Sequence, residues 1–301
     1  MSWSVEKTLC FLVICLLFFQ TKSQVISKTK AEEGTLKHLV HLTVYTTFLN
    51  QDKDEQFSSV GVSGSLIKLN WILTAAHNVA DHDVTVNGIT RRHFFFQVNV
   101  LAGSKNSKKE TPQQCTIYES DIIIHEEYNR NDDYDVALLY MKNKFQITET
   151  VEPAKLLEPG MEFDADAKCV VQGWGYNEVV RNEKNQLQYS RPSPDHAMQG
   201  TVNILNGDKC LEAYAVGDFN SDLYFCYGSN NGTCVQTACG DSGTPVVCAL
   251  KKGDDPLVDG VVFAINVAGC DVNEIGNSDY PDMGMDVRKI KSWIDRWTDG
   301  T

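Results

Sequence analysis

The chain of 301 residues lacks the positive charge that nucleic-acid binding needs: 27 Lys and Arg stand against 40 Asp and Glu, a formal net charge of −13. Phosphate backbones are gripped by clustered cations, so this balance speaks against a nucleic-acid partner and favours solubility and basic partners. No CxxC pair and no close histidine cluster occurs among its ten cysteines and seven histidines, so the usual ligand spacing of a zinc site is missing. The Lys-rich stretch from Ser104 to Gln114 gathers no group of carboxylates, and calcium needs several oxygen ligands. No metal or organic cofactor is expected. Long apolar runs are also absent. The run from Leu9 to Phe19 has 11 residues, whereas a bilayer-spanning helix needs about 20. Low-complexity segments and internal repeats are missing too.

That apolar run has its own setting. Lys7 precedes it and Thr21–Lys22–Ser23 follows it, which reads as a signal peptide over residues 1–23, cleaved after Ser23. The expected mature chain is secreted, extracellular, soluble and unattached to a membrane. Loss of Glu6, Lys7 and Lys22 takes the net charge from −13 to −14. Cys10 and Cys15 leave with the leader, and an even number of cysteines in a secreted chain reads as disulfides. Asn231–Gly232–Thr233 is an N-glycosylation sequon, placing Asn231 in an exposed loop of a glycoprotein. The 42% hydrophobic content is enough for the cores of two small β-domains.

The chemistry centres on Gly240–Asp241–Ser242–Gly243–Thr244–Pro245. Glycines on both sides let the backbone turn sharply and a substrate approach closely. A serine hydroxyl there needs a base, and the base needs a carboxylate that fixes its tautomer. Thr74–Ala75–Ala76–His77 and Asp135–Val136–Ala137–Leu138–Leu139 supply both: His77 as base, Asp135 as its orienting partner. The amides of Gly240 and Ser242 are the candidates for an oxyanion hole. The GxSxG nucleophile motif of esterases and lipases is absent here, and the chain order is His, Asp, Ser.

With these motifs, and with Trp71–Ile72–Leu73 before the histidine, Gly173–Trp174–Gly175 and Trp293–Ile294, the chain resembles the chymotrypsin-like (trypsin-family) serine peptidases. The resemblance implies an all-β fold of two antiparallel six-stranded Greek-key β-barrels with a C-terminal α-helix. The halves are residues 25–150, carrying His77 and Asp135, and 151–301, carrying Ser242. It implies a secreted monomeric endopeptidase, polypeptide substrates, protein inhibitors as further partners, and disulfides Cys169–Cys248, Cys210–Cys226 and Cys239–Cys270. Cys115 and Cys234 either pair with each other, or Cys234 competes with Cys239 for Cys270. A family disulfide is missing, because Val62 and Asn78 stand at its positions.

The resemblance also implies a salt bridge between Asp241 and a freed α-amino group at Val25, although no Arg or Lys precedes Val25 to mark an activating cleavage. For the substrate pocket it offers Gln236 or Thr237 at the base. Its wall is Ala264–Ile265–Asn266, or, in the alternative register, Phe263–Ala264–Ile265. Asp282 lies near the base, where its charge would favour a basic substrate residue. A non-catalytic homologue that uses the same fold for binding is the rival reading, supported by the altered wall, Thr244 and the missing activation site.

Along the chain, Val40, Leu42 and Val44 alternate with polar residues, as do Phe96, Val98 and Val100, a strand pattern. Residues 49–58 and Asp81 to His93 read as loops, Lys142 to Lys168 as the connection between halves, and Tyr176 to Asp195 as a solvated insertion. Val287, Ile290, Trp293, Ile294 and Trp297 recur at helical spacing. The histidines other than His77 read as structural or solvent-exposed.

Overall fold

The computed structural model describes residues 24–25, 28–50, 53–86, 89–108, 113–128, 133–181, 187–189, 194–214, 220–229, 235–268 and 280–299. The expected leader, the Asn231 sequon, Cys234 and Cys270 lie outside these.

Two short strands, β1 (Gln24–Val25) and β2 (Thr29–Lys30), come first. The N-terminal sheet follows as β3 (Leu39–Leu49), β4 (Glu55–Lys68), β5 (Trp71–Thr74), β6 (His82–Val86), β7 (Ile89–Ala102), β8 (Gln113–Tyr118), β9 (Ile122–Ile124) and β10 (Ala137–Tyr140). In β3 the buried Val40, Leu42 and Val44 alternate with half-buried His41, Thr43 and Tyr45. One face is therefore committed to a core, which fixes the register against β4, with Leu42 opposite Val62. The path runs β7–β3–β4–β5–β10–β9, and β8 pairs with β7. β8 and β9 flank a single 3₁₀ turn, Glu119–Asp121, without pairing to each other, so the sheet curls into a half-barrel. Its core holds Val40, Leu42, Val98, Val100 and Leu139.

After a coil comes the second set: β11 (Cys169–Gly173), β12 (Glu178–Arg181), β13 (Leu187–Tyr189), β14 (Met198–Leu205), α1 (Gly207–Ala213), β15 (Tyr224–Gly228), β16 (Pro245–Cys248), α2 (Pro256–Asp259), β17 (Val261–Ala268) and β18 (Asp282–Asp286). The order β11–β16–β17–β18–β15–β14 closes through a β11–β14 pairing into a six-stranded barrel around Val171, Val202, Val246 and Phe263. Helix α3 (Val287–Thr298) starts at Asp286, whose carboxylate accepts from the Arg288 amide. It buries Val287, Ile290, Trp293 and Ile294 in a third cluster with Leu73, Leu138 and Trp174, drawn from both barrels. The expected all-β, two-barrel architecture with a C-terminal helix is the one observed.

The Cys169–Cys248 bridge joins directly opposed residues of β11 and β16, and Cys210–Cys226 ties α1 to β15. Four local readings differ. The loop expected over 49–58 shrinks, because β3 reaches Leu49 and β4 begins at Glu55. Most of Asp81 to His93 is a β6–β7 hairpin. The insertion after Tyr176 carries β12 and β13, which join β1 in a three-stranded sheet. Trp297 is 40% exposed rather than packed, with Arg296 over its ring.

Candidate active site

β5 is buried throughout and ends in an extended Ala75, followed by a 3₁₀ turn over Ala76–Asn78. That turn buries Ala76 and Asn78 and leaves the His77 side chain 35% exposed. β10 pairs with β5 so that Ala137 faces Thr74. Asp135, two residues before one strand, therefore meets His77, three residues beyond the other. Its Oδ2 lies 2.5 Å from His77 Nδ1 and its Oδ1 accepts the His77 amide at 2.8 Å. The Asp135 carboxylate has no exposed surface. Held from both oxygens, it fixes the ring and keeps the proton on Nδ1, leaving Nε2 for proton transfer. The preceding Tyr134 has φ 49° and stacks on His125 at 4.4 Å. A left-handed non-glycine residue costs about 1–3 kcal/mol, and the stacking helps hold it there.

Ser242 sits in a turn bounded by Gly240 (φ 96°) and Gly243 (φ 81°). Its carbonyl accepts from Ser63 N at 3.0 Å and from Asn78 Nδ2 at 3.1 Å. Asn78 is the residue after His77, and it also donates to Thr74 Oγ1 at 3.0 Å. From the other barrel, Gly243 N donates to Asn266 O at 2.9 Å and Asn266 N to Thr244 O at 2.8 Å. Ser242 is thus clamped at the seam between the barrels, beside the His77 turn. The amides of Gly240 and Ser242 meet no acceptor among the described residues. Donors left open in that way suit an oxygen that gains charge during a reaction.

Asp241 has a partner that the sequence reading did not name. Its partner is the Lys28 ammonium, 2.5 Å from Oδ2, with the side chains 2% and 1% exposed. Val25 instead lies on β1, opposite Glu178. In this chain, where Gln24 precedes Val25 and leaves it no free α-amino group, the buried carboxylate takes the Lys28 cation that the chain brings past it.

The substrate-pocket residues also differ. Ala264 and Ile265 are buried in core clusters, on a strand paired on both sides by β16 and β18. Asn266 is buried too; its Oδ1 accepts from Tyr227 Oη at 2.6 Å and Thr237 Oγ1 at 3.2 Å. Thr237 N donates to Asp282 Oδ2 at 2.7 Å, and Gln236 Nε2 to Tyr280 O at 2.9 Å. Burial drives the Asp282 carboxyl well above the ordinary carboxylate range, and Thr237 and Lys28 only partly offset this. Burial thus disfavours the ionised form on which the expected preference for a basic substrate residue rests. Burial likewise raises the Tyr227 phenol.

Lys28, Asn78 and Tyr227 are the site residues that motif reading missed. Only Asn78 left a trace, as a polar residue at the position of a missing half-cystine. Cys115 is a half-buried thiol whose pKa burial raises to about 11, unpaired with any described cysteine.

Three comparisons with known proteins bear on the family. The family model described as Trypsin matches residues 45–294. Mouse ovochymase-2 is 27% identical over 92% of this chain and 41% of its own length. The ovochymase of Halocynthia roretzi is 28% identical over 78% of this chain and 14% of its own length. The chain thus spans less than half of either ovochymase. Dog chymotrypsin-like elastase family member 1 is 26% identical over 70% of this chain and 72% of its own length. A solved structure described as "Structure of GrC" superposes with a TM-score of 0.64 at 19% identity, covering 91% of this chain and all of that one, and so shares the fold. The chain belongs to the Trypsin family, a divergent member among chymotrypsin-like serine peptidases.

Proposed function

We propose that this chain is a secreted serine endopeptidase, with residues 1–23 as leader and the barrels over 25–150 and 151–301 contributing His77 with Asp135, and Ser242. The observation that carries the reading is the doubly held His77–Asp135 pair beside a Ser242 whose carbonyl is bound by Asn78. Ser242 Oγ attacks the peptide carbonyl while His77 Nε2 takes its proton. Asp135 stabilises the resulting imidazolium. The Gly240 and Ser242 amides hold the oxyanion, each such donor being worth about 10²–10³ in rate. The imidazolium protonates the departing amine, and water then releases the acyl group by the same route.

The substrate residue on the acyl side of the cut bond is small on this reading. Tyr227, Thr237, Asn266 and Asp282 bond to one another where a pocket was expected, and all are buried. That closed network is also what favours the second reading, a homologue that binds polypeptides without cutting them. A peptide-library cleavage profile tests the proposal. Cleavage after Gly, Ala or Ser by the wild type and none by Ser242→Ala supports it. A profile dominated by Lys or Arg rejects the closed pocket, and turnover retained in purified Ser242→Ala rejects the nucleophile.

A further inference from the structure

The Asp241 carboxylate is bound by three donors: Lys28 Nζ at 2.5 Å, Gly175 N at 2.9 Å and Ala238 N at 3.0 Å. The space around it is cut to the carboxylate. A Cβ at Gly173 would stand 2.3 Å from Oδ1, and one at Gly175 would stand 2.4 Å from Cγ. The Lys28 main chain is fixed on both sides. Just after it, β2 pairs with β14, Lys30 opposite Met198 and Thr29 opposite Gln199. Just before it, β1 pairs with β12 through Gln24 and Val25. The backbone therefore runs past Asp241 and delivers a side-chain ammonium to it from within the chain.

We propose that Lys28 is a positioning residue for the oxyanion turn, and that it orders this turn without a free amino terminus at Val25. The inference deepens the peptidase reading and rests on it only for the catalytic consequence. A buried carboxylate stripped of its cation is strongly disfavoured and moves toward water. In leaving, it would release the Ala238 and Gly175 amides, and Ala238 O accepts from Asp241 N at 2.8 Å. The turn from Ala238 to Gly243, with both candidate oxyanion donors, would lose its anchor.

The test uses three forms of the chain: one beginning at Gln24, one with about ten extra residues ahead of Gln24 so that no amino group lies near the site, and Lys28→Met beginning at Gln24. Amide hydrogen exchange by mass spectrometry over residues 236–243 reads the turn. Labelling by a covalent serine reagent reads the site. The expected result is equal protection and equal labelling rates in the two Lys28 forms. In Lys28→Met, exchange rises in 236–243 while the β3–β4 segment stays protected, and labelling slows a hundredfold or more. Unchanged exchange in Lys28→Met overturns the inference whatever the activity. So does labelling in the form beginning at Gln24 that the extended form lacks. If no form labels but exchange in Lys28→Met still rises locally, the positioning role stands and the peptidase reading falls.

Discussion

Replacing Gly243 by alanine puts the nucleophile turn under a defined strain. Gly243 has φ 81°, where an alanine costs roughly 1–2 kcal/mol. The new methyl carbon would stand 2.2 Å from Ser63 O and 2.2 Å from Thr74 Oγ1. Ser63 O belongs to the backbone of β4, and Thr74 Oγ1 is already bonded to it at 2.8 Å, so neither yields cheaply. Restoring ordinary contact moves the turn by about 1 Å, and a displacement of that size at a reacting atom costs about 10² in rate. Gly243→Ala should therefore lower kcat about a hundredfold or more, while its melting temperature falls by only several degrees, at about 2–4 °C per kcal/mol for a chain of this size. Active-site titration alongside a thermal melt separates the two effects. A Gly243→Ala protein that keeps kcat within about threefold of wild type would refute the reasoning that Ser63, Thr74 and Gly243 hold Ser242 in place.

Asp135→Asn should keep the fold and cut kcat by on the order of 10⁴, because an amide at that position no longer dictates the His77 tautomer; the kcat of folded protein is the readout. The buried His38 and the half-buried His41 should make the protein acid-labile. Burial lowers them to about 3 and about 4, with Lys105 adding to the effect at His38. Between pH 6.5 and 4 the unfolded chain binds protons that the folded chain refuses, so stability falls as pH falls, by up to about 1.4 kcal/mol per pH unit for each histidine. His41 Nδ1 has no partner among the described residues, so His41→Leu should flatten this decline without removing a hydrogen bond. Denaturant midpoints at pH 4.5, 5.5 and 6.5 check the slope, and an unchanged slope would contradict the neutral state of His41.

The candidate triad could be read because the chemistry admits few residue types, and Asp135, His77 and Ser242 stand in short, distinctive strings; the structure brings His77 against Asp135. The barrels were legible where one strand face is buried, as in β3. The β6–β7 hairpin was not, because β7 begins with Ile89, Thr90 and Arg92 exposed and Arg91 half-buried, which leaves no burial alternation to read there. Tyr227 lies in a buried strand like any core aromatic, and its bond to Asn266 spans 39 residues of sequence. Lys28 sits among Ser27, Thr29 and Lys30 as one polar residue in a polar run. Its role appears only once β1 and β2 fix the path of the chain past Asp241.

Covalent labelling with a fluorophosphonate, followed by peptide mass mapping, tests the central claim most directly. The wild-type chain should gain one adduct, on Ser242, at a rate that falls by several orders of magnitude in His77→Ala. A folded wild-type protein that gains no adduct, or gains it on another serine, would contradict the claim that Ser242 is an activated nucleophile.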